Sequence, residues 1–309
     1  MKKNILFIIL FSLTATWTFA QDAAGDSTVV VKEKDKPVRS PFESGYIIDA
    51  QTTVIQPKKT LEMSIQHKFG TIQNGKKDLW GIYAPGASIR LGLDYVLLKN
   101  FQIGAGINNK NMTTDLNAKW TIMQQTRKNT FPVAIALYGI IGIDGRDPSA
   151  FESGHVQVAH NSGIVNGFAF PDRVSYFSEL IVGRKFTDWL SLQAAVSLSH
   201  FNSVALPYDH DKVGVHFNGR IKITPQGSLI FNYDLPLKIK DISEQNTWTN
   251  PSKPNLSFGY EVSTGTHAFQ IFVASTSAVL PQETMMWNQN DYTKNGFSVG
   301  FTITRLWGF

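Results

Sequence analysis

From about Leu61 to the last residue, the apolar side chains of this chain recur at every second position. No other feature narrows the fold as far. Ile89, Leu91, Leu93, Tyr95 and Leu97 share one parity, with Ser88, Arg90, Gly92 and Asp94 between them. Phe101, Ile103, Ala105 and Ile107 alternate with Gln102, Gly104, Gly106 and Asn108, and Leu116, Ala118, Trp120 and Ile122 alternate with Asp115, Asn117, Lys119 and Thr121. The pattern returns over 190–198, 213–223, 229–237, 256–262 and 297–303. Successive side chains of a strand point to opposite faces, so this period builds strands with one apolar and one polar face. No stretch of comparable length carries the 3.6-residue period of an amphipathic helix, and the fold class is all-β.

The alternation predicts twelve strands: 61–69, 86–97, 101–108, 114–124, 131–142, 172–184, 189–201, 211–224, 228–237, 255–263, 267–275 and 297–306. Segment 131–142 is apolar on both parities, and 172–184 has a weak inward face. The links after the second, fourth, sixth, eighth and tenth strands are short (98–100, 125–130, 187–188, 225–227, 264–265), and most of the others are long. Bacterial transmembrane barrels sort their loops in this way, with short periplasmic turns and longer extracellular loops. Parity across the turns agrees. A three-residue loop keeps Leu97 and Phe101 on one face, and a two-residue turn at Thr264-Gly265 keeps Val262 and His267 on one face and sets Phe258 opposite Ile271.

Composition now has a use. Charged residues make up 17% of the 309, below the roughly 25% of ordinary soluble domains, while aromatics reach 12%. Beyond the first 20 residues no apolar run is long enough for a membrane helix, yet strands of about 9–11 residues cross a bilayer when tilted. Tyr95, Phe101, Trp120, Phe186, Trp189, Tyr260, Phe269 and Trp307 stand near strand ends, which suits two interfacial girdles. In a soluble sandwich the polar parity would face water instead. The closing strand favours the barrel: Phe297, Val299, Phe301, Ile303, Arg305, Trp307 and Phe309 share one parity. A terminal amphipathic strand with an aromatic end resembles the signal read by the outer-membrane barrel-assembly machinery. The expectation is a transmembrane up-and-down antiparallel barrel of about 12 strands, both termini periplasmic, with outer-membrane lipids and lipopolysaccharide around it.

Residues 1–20 (MKKNILFIILFSLTATWTFA) carry a basic start, an apolar centre and a small-residue cleavage site, the pattern of a cleaved signal peptide. Loss of Lys2 and Lys3 lowers the net charge from +5 to +3, which gives no case for nucleic acid. The absence of cysteine excludes disulfides, thiolate metal sites and a cysteine nucleophile. Residues 21–58 form a polar N-terminal segment read as flexible, within which 42–58 (FESGYIIDAQTTVIQPK) is placed to enter the lumen as a plug; 59–309 is the barrel.

The stretches LEMSIQHKFG (61–70), IRLGLDY (89–95), RKF (184–186), STGTHAFQ (263–270) and GFTITR (300–305) resemble an uncharacterised family of outer-membrane β-barrel proteins from Bacteroidetes-type bacteria, over roughly residues 45–309. The resemblance implies fold and location and supplies no catalytic residue.

Function is sought on the polar parity. Arg90, Lys119, Arg220 and Lys222 oppose Asp94, Asp115, Glu179, Asp234 and Glu261, with His216 among them, and these ten are the candidate lumen-lining residues. Two readings compete. The charges line a narrow water-filled channel, or they pair across the lumen and close it; a twelve-strand barrel lies between the filled eight-strand and open sixteen-strand cases. The first reading implies a porin-like channel or transport protein for small polar solutes, the second a filled barrel acting as a structural or interaction platform. A third, lipid hydrolysis, would draw on outward-facing Ser178 and His200, whose predicted partners across the strands are Leu198 and Tyr176. No catalytic residue, metal site or cofactor is assigned: His155 and His160 with Asp147 and Glu152, the Tyr208-Asp209-His210-Asp211 turn and His267 all read as loop or hairpin residues.

Overall fold

The computed structural model describes residues 35–151, 168–205, 208–239 and 251–309, and the backbone of 155–157 and 163–164. The segment read as a signal peptide and residues 21–34 lie outside the described residues.

Twelve strands close into one antiparallel barrel in which each strand pairs with the next in sequence and the last pairs with the first. They are β1 (Thr60–Thr71), β2 (Ser88–Leu98), β3 (Phe101–Asn108), β4 (Thr114–Met123), β5 (Ala134–Ile143), β6 (Val174–Lys185), β7 (Leu190–Phe201), β8 (Asp211–Lys222), β9 (Gly227–Leu237), β10 (Asn255–Ser263), β11 (His267–Ala274) and β12 (Ser298–Gly308). Strand β12 returns to β1, pairing Ile303 with Ile65, so no ladder is left open. Closure is what allows a sheet to stand in hydrocarbon, where an unpaired N–H or C=O has no water to bond.

The alternation read from the sequence is the in–out alternation of the wall. Leu93, Ile107, Leu116, Leu198, Phe258 and Ile271 are exposed on the outside, while the intervening Asp94, Asn108, Asp115, Ser199, Ser257 and Gln270 are buried inside. An apolar belt on this scale far exceeds the exposed patches of soluble monomers.

Three details of the sequence reading change. Strand β5 starts at Ala134 rather than 131, because the link before it pairs with the N-terminal segment: Pro37 bridges Thr126, and the Val38 N–H donates to the Gln125 carbonyl at 3.0 Å. The β10–β11 turn is longer than two residues: Ser263 pairs with Ala268, so Phe258 faces Val273 instead of Ile271, with the parity intact. All eight aromatics expected in two girdles sit at the short-turn end, since each falls where an even-numbered strand ends or the following strand begins. Among the described residues, exposed aromatics towards the other end include Trp80, Tyr83, Phe170 and Tyr176. At the β2–β3 turn, Leu98 pairs with Phe101 and a bulge at Val96–Leu98 leaves Leu97 outside, as the parity requires.

Ile271 is 62% exposed in the middle of β11. Ile271→Arg lowers unfolding stability in phospholipid vesicles by about 2–4 kcal/mol, the cost of a cation at the bilayer midplane, as read by urea titration. A loss under about 0.5 kcal/mol, the ordinary range of surface changes, would mean that this wall does not face lipid.

Candidate functional site: a polar lumen closed by two insertions

Two pieces of chain stand inside the barrel. The first precedes β1 and comes from the short-turn end: Tyr46–Ile47 and Ala50–Gln51 form a small hairpin. The second lies between β11 and β12, at the long-loop end, and contains the helix α1 (Pro281–Trp287), buried from Gln282 to Met286.

The hairpin is held at its tip. The Ile48 N–H donates to Gln270 Oε1 at 2.6 Å, and the Thr302 hydroxyl donates to the Ile48 carbonyl at 2.9 Å. Ile48 has φ +59°, a left-handed conformation that β-branched residues rarely adopt. Such strain persists where surroundings over-determine it. Here Ile48 is fully buried with Phe42 and Ile47 against Ile230 and Phe272 of the wall. Gln270 also donates to the Tyr46 carbonyl and to Glu261, at 3.1 and 2.7 Å.

The ten predicted lumen residues can now be placed. Arg90 donates twice to Asp115, at 2.8 and 2.7 Å, through a forked contact suited to a guanidinium. Asp94 accepts the Tyr46 hydroxyl at 2.9 Å, and Lys119 donates to Gln51 Oε1 at 3.0 Å. Arg220 pairs with Glu43 at 2.9 Å, and Glu261 accepts from Gln270. His216 pairs with Asp234 at 2.7 Å, and Glu179 is buried beside a cavity of about 30 Å³ that both of them also line. Lys222 is half-buried at the end of β8, at the rim. Among the ten, Arg90–Asp115 and His216–Asp234 pair between nearby strands, while Asp94, Lys119 and Arg220 meet the segment before β1, so in this conformation the inserted chain rather than charges pairing across the lumen fills the interior.

The sequence reading passed over Glu62 and Lys68 of β1, although both lie on its polar parity. Lys68 has a decisive position: fully buried, it forms an ion pair with Asp49 of the hairpin and donates to the Ala278 carbonyl at 2.6 Å. One ammonium thus holds both insertions. The apolar character of β5 and the weak inward face of β6 also have a counterpart here, since Ala136, Tyr138 and Ile140 pack with Phe177, Ile181 and Ala195 in an apolar stripe inside the wall.

A third feature was not anticipated. Ser197 Oγ lies 2.7 Å from His216 Nε2, and His216 Nδ1 lies 2.7 Å from Asp234 Oδ1. The other Asp234 oxygen accepts from Asn232 and Asn255, both at 2.7 Å. With Nδ1–H donating to Asp234, Nε2 is left to accept the serine hydroxyl. That is the order of nucleophile, base and orienting acid in acyl-transfer sites. The ladder makes it: Ser197 is opposite Gly214, two residues before His216, and His216 is opposite Asp234. A Cβ on Gly214 would fall 2.5 Å from Met285 Sδ and 2.7 Å from Ser197 Oγ, so glycine is what lets α1 press onto this line. Parity alone could have placed these residues on one face; only the register brings them into contact.

By contrast, Ser178 and His200 do not form a pair. Ser178 is opposite Leu198 and His200 opposite Tyr176 as expected, but the two His200 nitrogens are engaged by Asp211 at 2.8 Å and Asn202 at 3.0 Å. His210 Nδ1 lies 2.6 Å from the Phe201 carbonyl, and His267 stacks on Phe269. Glu152, His160 and the side chain of His155 lie outside the described residues, and among the described residues no cluster of acids and histidines suits a metal ion.

Larger spaces flank the small central cavity. One of about 360 Å³ lies at the short-turn end, lined in part by Phe42, Glu43, Thr53 and Gln125. Another of about 200 Å³ lies at the long-loop end, between α1 and a wall that includes Asp144, Arg146, Arg173 and Phe201. The central one is no larger than about one or two water molecules would fill.

Residues 42–307 match the family described as "Membrane bound beta barrel domain (DUF5777)". No curated protein matches the chain. Among solved structures, it is similar to the NanC porin (9% identity, TM-score 0.45, covering 81% of this chain and 99% of that one). It is also similar to the COG4313 outer membrane channel from Pseudomonas putida F1 (10%, TM-score 0.44, 82% and 97%) and the KdgM porin (8%, TM-score 0.42, 81% and 99%). The topology given above rests on the chain's own strand ladder.

Proposed function

The chain belongs to the family of membrane-bound β-barrel domains, and from that premise we propose that it is a gated, porin-like channel for small polar solutes in a bacterial outer membrane. Its short-turn end, with both termini, faces the periplasm. The observation that carries this reading is the polarity of the inner wall. Ser64, Gln66, Lys68, Arg90, Asp94, Asp115, Lys119, Gln193, Asn218, Asn232 and Gln270 are all buried there. A barrel needed only as a post would be cheaper to fill with apolar side chains, because buried ion pairs recover their desolvation cost poorly. A wall built for water keeps its polarity when the insertions leave. The polar contacts that hold the hairpin and α1 are ones hydration can replace, and wider spaces lie on either side of the constriction. On this reading the two insertions act as a closed gate.

The test is conductance in planar bilayers, using folded, heat-modifiable protein. Deleting residues 42–57 produces frequent, stable current steps where the full chain is mostly silent. Silence from the folded deletion protein would favour the filled-platform reading.

The α1 contact adds a pH dependence. The carboxyl of Glu283, in the loop between β11 and β12, is pushed up to about 7 by burial, with Lys110 3.7 Å away and Arg146 opposing the shift and Asp144 adding to it. A carboxyl whose folded pKa is raised is bound more readily as the neutral acid. The docked helix therefore loses stability as pH rises from the ordinary carboxylate range through about 7, and keeps it in full below that range. Open probability rises between pH 5 and 8, and Glu283→Gln flattens the rise. An unchanged profile in that variant would remove Glu283 from the gate.

One observation favours a second reading, acyl transfer by Ser197. Its alcohol would add to an ester carbonyl while His216 Nε2 takes the proton; the adduct would collapse by breaking the ester C–O bond, the departing alcohol taking that proton, and water would then hydrolyse the acyl-serine to a carboxylic acid and free Ser197. In the closed state Met285 covers this line. Labelling of the hairpin-deleted protein by a fluorophosphonate, lost in Ser197→Ala, would support it; equal labelling of both would reject it.

A further inference from the structure

At the short-turn end, four cations surround an open cleft of about 610 Å³: Arg39 of the N-terminal segment, Arg127 of the β4–β5 link, and Arg184 and Lys185 at the end of β6. The one acid lining it, Asp188, points fully into solvent 3.4 Å from Lys185. The cations are held in place from below. Arg127 Nε donates to the Pro37 carbonyl at 3.1 Å, and Lys185 Nζ donates to the Arg39 carbonyl at 3.0 Å, so the N-terminal strap and the two turns form one rim.

One wall of the cleft adjoins the outward face of the barrel. Arg184 follows Leu180 and Val182 on the outward parity of β6, and its guanidinium stands 5.4 Å from the ring centre of Phe186. Its Nε is shielded from water and has no hydrogen-bond partner. Phe131, Phe186 and Trp189 flank it as exposed aromatics of the short-turn girdle. Towards the bilayer centre, Val182 pairs with Ile135 and Leu180 with Leu137, giving a smooth apolar strip on two adjacent strands. An arginine fork at the interface, above such a strip, matches a phosphate attached to acyl chains. A soluble anion would have no use for the strip.

We propose that this cleft is a binding site for the phosphate headgroup of an anionic phospholipid in the leaflet at the short-turn end. The acyl chains lie along β5 and β6, and Arg184 and Arg127 grip the phosphate. The site is independent of what the lumen conducts. It fixes the tilt and depth of the barrel at the same rim where the N-terminal strap leaves for the lumen.

Native mass spectrometry of the full chain tests it, with phosphatidylglycerol and phosphatidylethanolamine of identical acyl chains offered in equal amounts. The wild type retains phosphatidylglycerol in clear preference. The Arg127→Gln/Arg184→Gln variant loses that preference by about thirtyfold, since each of the two basic groups near an anionic surface contributes about fivefold. Arg184→Lys, which keeps the charge and removes the fork, loses part of it. Lys99→Gln, at the same end outside the cleft, loses none. Inorganic phosphate displaces the lipid only at concentrations far above those of the lipid; displacement at matched concentration would make this a site for free phosphate. Equal retention of the two lipids by the wild type, or of phosphatidylglycerol by all variants, would overturn the proposal.

Discussion

Everything inside this barrel depends on the hydrogen bonding of a polar wall that water does not reach. Lys68 shows the constraint in one residue. An ammonium buried without partners would be prohibitive, and it has them only because Asp49 arrives from one end of the lumen and the Ala278 carbonyl from the other. Remove either insertion and water must follow. The same holds for Asp94 with Tyr46, Lys119 with Gln51 and Arg220 with Glu43. The wall and its contents therefore have two consistent states, one dry and occupied and the other wet and open.

The two insertions are built differently. The hairpin carries an apolar anchor, with Phe42, Ile47 and Ile48 against Ile230 and Phe272, and its tip is strained at Ile48 and clamped by Gln270 and Thr302. The helix α1 has seven residues and little helix stability of its own. Its buried face includes Gln282 and Glu283, beside the long-loop space. A short helix with a buried carboxyl is the easier of the two to displace, which makes the long-loop side the natural sensor of external conditions and the hairpin the deeper seal.

The wall was legible in the sequence because a period of two is a local property. Leu93 and Asp94, or Leu116 and Asp115, declare their faces to anyone counting residues, and the alternation of short and long links with the amphipathic closing strand pointed to closure. Register was only partly legible. A hairpin link fixes it when its length is obvious, as between β6 and β7, and misleads when the turn takes two more residues, as between β10 and β11. The contents of the lumen were the least legible part. That Asp49 meets Lys68, or that Met285 settles over Gly214, is set by contacts between residues far apart in the chain, which no periodicity records. The Ser197–His216–Asp234 line belongs to the same class, since it needs three strands in register at once.

The central claim is that the hairpin occupies and seals a polar lumen in the membrane-inserted protein. A single thiol reports on this directly, because the chain has no cysteine. Gln102 is buried on the inner face of β3, and its amide nitrogen has no partner to lose. In vesicles, Gln102→Cys is expected to be inert to a charged, water-soluble methanethiosulfonate in the full chain and reactive once residues 42–57 are deleted. Equal, rapid modification in both would contradict the seal.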